Sequence, residues 1–340
     1  MFRCMGCMEE FDDSLNTCPH CGYKRGTPPR DAYDLPPETI LNGRYIVGRK
    51  LAKQESQKAG EKYTYLGFDC ANNQKIVLRE FFPSDAIIRN TPLPPFEKDD
   101  AEKKNCLLAY GERLVHFPDH SNAANVYDCF EENGLVYYIH NYINGETLDG
   151  IIIKNGPMPY PQACDTILPI LQALAALHKA GIVHHQIKPK KIIVTGNNAI
   201  LIPGQIAHYH YRQNVAIILD FNPYQAPDEY KHIPIDARSD IYSICAVFYY
   251  ILTGLEPEIA LERQVNDMLK PPSKLGINIP RSIENAILNG MNLHPENRVQ
   301  TAEELIEALR GQIPVRRIYE TKSTTRKNRF LHHFFPNRRI

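Results

Sequence analysis

The sequence predicts an α+β chain with two lobes, an antiparallel sheet lobe followed by a helical lobe, behind a small cysteine-rich module. Three observations carry this reading. Strand-like segments crowd the first half of the chain, helix-length apolar periodicities fill the second, and four cysteines fall in two close pairs near the start.

At 340 residues the chain has room for one large two-lobed domain and a small accessory module, since single cores stop growing near about 250 to 300 residues. The 43% hydrophobic and 23% charged content is that of an ordinary globular protein, and a formal net charge of zero gives no global attraction to nucleic acid or membrane. The longest apolar run, Ile241 to Leu252, has helix-core length and is too short to span a bilayer. Met1-Phe2-Arg3-Cys4 lacks the apolar core of a secretory signal, so the expected compartment is the reducing cytoplasm, with the nine cysteines unpaired.

Residues 1–26 are rich in Cys, Gly and turn formers, and the Pro-rich stretch 27–43 reads as a stiff linker. In the sheet lobe, 44–142, strands are expected at Arg44–Leu51, Lys62–Asp69, Gln74–Phe81, Ala124–Phe130 and Leu135–Asn141, with one helix around Ala101–Val115. In the helical lobe, 143–312, Ile167, Ile170, Leu171, Leu174 and Leu177 share one helix face that ends before Gly181. Ala237 to Leu252 is apolar nearly all round, as a buried central helix would be, and Thr301 with Glu304 caps a closing amphipathic helix. The last stretch, 313–340, carries eight Lys or Arg against Glu320 alone, which suits a solvated end or contact with an anionic partner or lipid headgroups.

Cys4-x2-Cys7 and Cys18-x2-Cys21 present four thiolates from two tight turns, the donor set of a closed tetrahedral Zn²⁺ site with a structural or partner-binding role. Gly6 and Gly22 let the backbone curl around the ion and aim N–H groups at sulfur, and His20 is expected outside the site. The module therefore reads as a zinc ribbon. The cysteines at 70, 106, 129, 164 and 245 stand singly and are expected to pack.

Between Arg44 and Arg310 the chain resembles the bacterial branch of the eukaryotic-type Ser/Thr protein kinases. Gly181-Ile182-Val183-His184-His185-Gln186-Ile187-Lys188-Pro189-Lys190-Lys191-Ile192 resembles the catalytic loop, and Tyr224-Gln225-Ala226-Pro227-Asp228-Glu229-Tyr230 the end of the activation segment. Ser239-Asp240-Ile241-Tyr242-Ser243 resembles the start of the central helix, and His294-Pro295-Glu296-Asn297-Arg298 the run into the last one. The resemblance implies a two-lobed fold, with Asp240 tying the catalytic loop to the central helix, Arg298 facing an acid at Asp228 or Glu229, and His184 buried in a structural role.

The same register implies a concerted loss of chemistry. The catalytic aspartate falls on Gln186, the magnesium-binding asparagine on Lys191, and the Asp-Phe-Gly motif on Pro203-Gly204-Gln205. Ile76-Val77-Leu78-Arg79 places Arg79 where the family has its phosphate lysine, and residues 52–60 replace the glycine-rich loop with a longer segment holding one Gly. The glutamate that partners that lysine falls on Gly111 or on Glu112, one place away. A vestigial nucleotide cleft would be lined by Leu51, Val77, Arg79, His140 and Ile193.

The resulting expectation is a pseudokinase: a non-enzymatic signalling scaffold or allosteric module binding another signalling protein, with ATP and Mg²⁺ not used. The alternative is a weak or atypical ATP-dependent Ser/Thr kinase or nucleotidyl transferase, with Arg79 on the phosphates and Glu80 or Asp220 recruited to metal. A third reading, nucleic-acid binding, rests on the ribbon and the basic end.

Overall fold

Strands form where β-branched and aromatic residues alternate, and the first half of the chain supplies them in quick succession. The computed structural model describes residues 1–29, 34–51, 62–81, 98–204, 222–230 and 235–315. The replaced glycine loop, Gln205, Asp220 and the basic run after Val315 lie outside these residues.

The N-terminal module is a hairpin of β1 (Phe2–Arg3) and β2 (Glu10–Phe11) that encloses the first cysteine turn, with the second cysteine turn following it. The sheet lobe is six-stranded, built from β3 (Ile40–Leu41), β4 (Tyr45–Lys50), β5 (Lys62–Asp69), β6 (Gln74–Phe81), β7 (Val126–Glu132) and β8 (Leu135–Asn141) in the order β3-β4-β5-β6-β8-β7, antiparallel throughout. Helix α1 (Lys98–Val115) packs on β7 and β8, beginning three residues earlier than expected.

Two short elements, β9 (Glu146–Thr147) and α2 (Leu148–Asn155), lead into the helical lobe, where α3 (Tyr160–Lys179) buries Ile167, Ile170, Leu171, Leu174 and Leu177. A three-stranded sheet joins β9 to β10 (Ile192–Thr195) and β11 (Asn198–Leu201) beneath the loop that precedes β10. Helix α4 (Ala237–Thr253) is buried continuously from Ser239 to Leu252, as its all-round apolar pattern requires. The lobe closes with α5 (Ala260–Val265), α6 (Arg281–Gly290) and α7 (Ala302–Leu309), the last capped by Thr301 Oγ1 accepting from Glu304 N–H. Among the described residues no helix is long and apolar enough to cross a membrane.

The stretch read as a linker does more than connect. Asp34 is buried and paired with Lys50 at 2.6 Å, and the Leu35 N–H donates to the Tyr65 hydroxyl at 3.0 Å. The ribbon, in turn, lies on the sheet lobe: Met5 and Met8 pack with Leu66 and Phe68, and the Arg49 N–H donates to the Met5 carbonyl at 2.8 Å. Gly48 permits this approach, because a Cβ there would meet Met8 Cε at 2.1 Å and the Met5 carbonyl oxygen at 2.6 Å. Arg3 stacks over Phe68 at 3.4 Å, and Glu9 pairs with Lys75.

One buried ion pair staples the helical lobe. Arg298 donates to both oxygens of Asp228, at 2.5 and 2.8 Å, and to the Asn292 carbonyl, while the Ser239 hydroxyl donates to Asp228. Of the two acids considered opposite Arg298, it is Asp228 that pairs. Glu229 is buried separately, accepting from the Gln225 side chain and the Ala226 N–H. Burial, with the nearby Asp240 charge, pushes its pKa from 4.5 up to about 8. The folded protein thus keeps a proton that the unfolded chain releases, and stability falls as pH rises from about 4.5 to about 8. Glu229→Gln, which cannot ionise, is expected to flatten that fall in urea midpoints measured from pH 5 to 9; an unchanged slope would contradict the assignment.

Candidate functional site

The loop before β10 hangs from one carboxylate. Asp240, in the first turn of α4, accepts from the His184 N–H at 2.7 Å and the His185 N–H at 2.9 Å, and pairs with His178 Nε2 at 2.9 Å. Burial alone would push its pKa up, but the bond from His178 and the nearby imidazoles hold it below the usual carboxylate range. His185 takes a left-handed φ of 65°, a strained choice that these bonds stabilise. His184 Nε2 meets the Ile202 carbonyl at 2.9 Å, and burial lowers its pKa to about 4, so it is a neutral structural residue.

Around this loop the structure gathers the positions read from the sequence. Gln186 is half-buried, and Lys191 and Pro203 are buried. The Lys191 carbonyl accepts from the Ile202 N–H at 2.9 Å, which ties the end of the loop to the residue before Pro203. Val77 and His140 are cross-strand partners on β6 and β8, both buried. Ile193 is half-buried on β10, and Leu51 is exposed just past β4.

Arg79 is 1% exposed, and its Nη1 donates to the Pro203 carbonyl at 2.6 Å and the Gly204 carbonyl at 3.0 Å. Its Nε and Nη2 have no hydrogen-bond partner among the described residues, an arrangement that costs roughly 1–3 kcal/mol per buried donor. Burial lowers its pKa to about 10, which still leaves it charged at neutral pH. The pKa of the buried His140 is lowered to about 3, by burial first and by the charges of Arg79 and Lys191 second.

Neither position considered for the partner glutamate serves Arg79. A Cβ at Gly111 would meet Cys129 Sγ at 2.2 Å, so α1 presses directly on the sheet there, and Glu112 is exposed. Glu80 does not reach the cleft: its carboxylate accepts from the Tyr137 and Tyr65 hydroxyls at 2.8 and 3.4 Å, on the opposite face of β6 from Arg79. Its expected recruitment to metal is therefore corrected. Gly204 is forced by space, since a Cβ would lie 2.0 Å from the His184 carbonyl oxygen. A small cavity of about 20 Å³ behind Pro203 and Gly204, touching Tyr110 and His184, has room for water and not for a nucleotide. With an amide at 186, a cation at 191 and an apolar pyrrolidine ring at 203, the described residues do not fit a magnesium ion held in the family's manner.

The cysteines form a second constellation. The Sγ atoms of Cys4, Cys7, Cys18 and Cys21 lie within 4.8 Å of one another, with Cys4 to Cys21 at 3.5 Å and Cys7 to Cys18 at 3.7 Å. Zn–S bonds of about 2.3 Å at tetrahedral angles place sulfurs roughly 3.8 Å apart, so the donor set fits zinc. The Gly6 N–H donates to Cys4 Sγ, and a Cβ at Gly6 would strike Tyr23 at 2.5 Å. His20 is exposed and outside the cluster. Cys164 and Cys245 are buried as expected, whereas Cys70 is exposed at the turn after β5.

Comparison with known proteins places this geometry. Residues 96–321 match the model of the protein kinase domain. A probable serine/threonine-protein kinase of Clostridium acetobutylicum is 32% identical over 286 residues, covering 80% of this chain and 40% of that protein. The serine/threonine-protein kinase PknB of Mycobacterium leprae is 32% identical over 216 residues, 58% of this chain and 35% of that one. The chain thus spans well under half the length of these relatives. A crystal structure of Rad53 in complex with AMP-PNP has the same fold, with a TM-score of 0.58 at 15% identity, over 76% of this chain and 64% of that one. The expectation of a non-enzyme is overturned by these findings, because family and named relatives alike are kinases. By the match over residues 96–321 and by these relatives, this chain is a member of the protein kinase domain family, related to the bacterial Ser/Thr kinases.

Proposed function

We propose that the chain is an atypical, slow ATP-dependent Ser/Thr protein kinase whose lobes and N-terminal module also dock a signalling partner. The observation that carries this reading is the anchored loop: Asp240 holds residues 184 and 185 as a kinase needs them, in a family whose relatives are named as Ser/Thr kinases. Phosphoryl transfer passes through a loose transition state and depends mostly on positioning and charge stabilisation, so the loss of a base slows it without abolishing it. The bond from the γ-phosphorus to the ADP oxygen breaks, a bond to the substrate hydroxyl oxygen forms, and the hydroxyl proton leaves to water. Gln186 can orient the hydroxyl by accepting a hydrogen bond but cannot take the proton.

Absence of a general base costs roughly 10²–10⁴-fold. Against a usual kinase turnover of about 1–100 per second, transfer from γ-labelled ATP to the chain itself or to a generic protein substrate is expected two to four orders slower, on Ser or Thr, and lost on Arg79→Ala. Absence of label with and without Mg²⁺, or label undiminished in the variant, would overturn the reading.

The cysteine cluster supports one structural Zn²⁺, and its seat on β4 and β5 through Met5 and Met8 makes the ion a brace for the sheet lobe. The basic run in 316–339 supports a further contact with an anionic partner or lipid headgroups. One zinc per chain is expected by metal analysis. Cys4→Ser is expected to lose the ion and to lower the thermal midpoint of the whole chain rather than of a detached module; full zinc retention in the variant would contradict the assignment.

A further inference from the structure

The loop before β10 is held from two sides. Asp240 fixes it from α4, and α1 reaches it from the sheet lobe. The Tyr110 hydroxyl donates to the Val183 carbonyl at 3.1 Å, and Arg113 Nη2 donates to the Gly181 carbonyl and lies 3.4 Å from the Ala180 carbonyl oxygen. Ala180 and Gly181 close the C-terminal end of α3, the negative pole of that helix, where a guanidinium is favoured. Gly181 makes room for it, turning the chain at a φ of 70° where a Cβ would sit 3.2 Å from Arg113 Nη2. On its other flank α1 is seated on the sheet, with the Tyr138 hydroxyl donating to the Leu107 carbonyl.

In protein kinases the corresponding helix is set by an ion pair between its glutamate and the strand lysine, and phosphorylation of the activation segment controls that position. Here Arg79 donates to the carbonyls of Pro203 and Gly204, position 111 is glycine and Glu112 is exposed. The sequence has no Ser or Thr at any position between Thr195 and Ser239. Every acceptor that Tyr110 and Arg113 use is a backbone carbonyl, which is present whatever the nucleotide, metal or phosphorylation state.

We propose that Tyr110 and Arg113 are positioning residues that bolt α1 permanently to the loop, in place of a switchable ion pair, so that the site is assembled without phosphorylation of the chain. The effect on phosphoryl transfer rests on the slow-kinase reading above, whereas the bolt itself is read in the unliganded chain.

The test is amide hydrogen exchange of the full chain, with and without ATP and Mg²⁺ and before and after treatment with a broad-specificity phosphatase, together with transfer rates. In the wild type the protection of α1 and of the Gly181 and Ile182 amides, which bond to the end of α3, is expected to be the same in all four states. Arg113 is exposed, so Arg113→Ala should leave the thermal midpoint near that of the wild type. It should speed exchange at Gly181 and Ile182 roughly tenfold and lower kcat with the KM for ATP little changed. Arg113→Lys, which returns a cation to the same carbonyls, should recover most of both. Tyr110→Phe, which removes the hydroxyl and keeps the ring in the core, should act in the same direction as Arg113→Ala. Protection of α1 that rises with ATP or falls with dephosphorylation, or exchange unmoved in both Arg113→Ala and Tyr110→Phe, would overturn the bolt and leave the proposed function standing. Absence of transfer in the wild type would overturn the slow-kinase reading and with it the positioning role, while the exchange results still decide the bolt.

Discussion

The buried carboxylate of Asp240 is the constraint on which the rest of the site depends. It sits in the first turn of a helix that is buried on every side, so its position is fixed by the core itself. From there it dictates the path of the loop through two backbone N–H groups, forces the left-handed turn at His185, and sets where Gln186 and Lys191 begin. Leaving such a carboxylate unpartnered would cost several kcal/mol, so the loop cannot easily take another course. The site's shape is thereby inherited from the fold, while its charge is set separately by the residues the loop carries.

That separation explains how much could be read from the sequence. Helices α3, α4 and α7, the long strands of the sheet lobe and the cap at Thr301 were legible because apolar period and capping chemistry are local. The cysteine cluster was legible because two tight turns bring four thiolates together with little help from elsewhere. Other features depend on contacts distant in sequence. That Arg79 would reach the carbonyls of residues 203 and 204 depends on two segments more than 120 residues apart, and no local pattern encodes it. Docking of the ribbon on β4 left one trace, a glycine in mid-strand at Gly48, whose meaning appears only once Met8 is placed against it. Strand alternation, which is local, turns Glu80 away from Arg79 and toward the hydroxyls of Tyr65 and Tyr137.

Family membership and local chemistry pull in different directions here, and the physics of phosphoryl transfer reconciles them. A reaction that needs placement and positive charge more than it needs a base tolerates glutamine at 186 at the cost of rate. The ribbon and the segment around Asp34 then have a mechanical part, bracing the strands β4 and β5 from which the sheet side of the cleft is built.

The most direct measurement of this account is amide hydrogen exchange in the wild-type chain and in Asp240→Asn. The account predicts that the variant loses protection at the His184 and His185 amides far more than in the core of α4. Unchanged protection of both amides in the variant would contradict it.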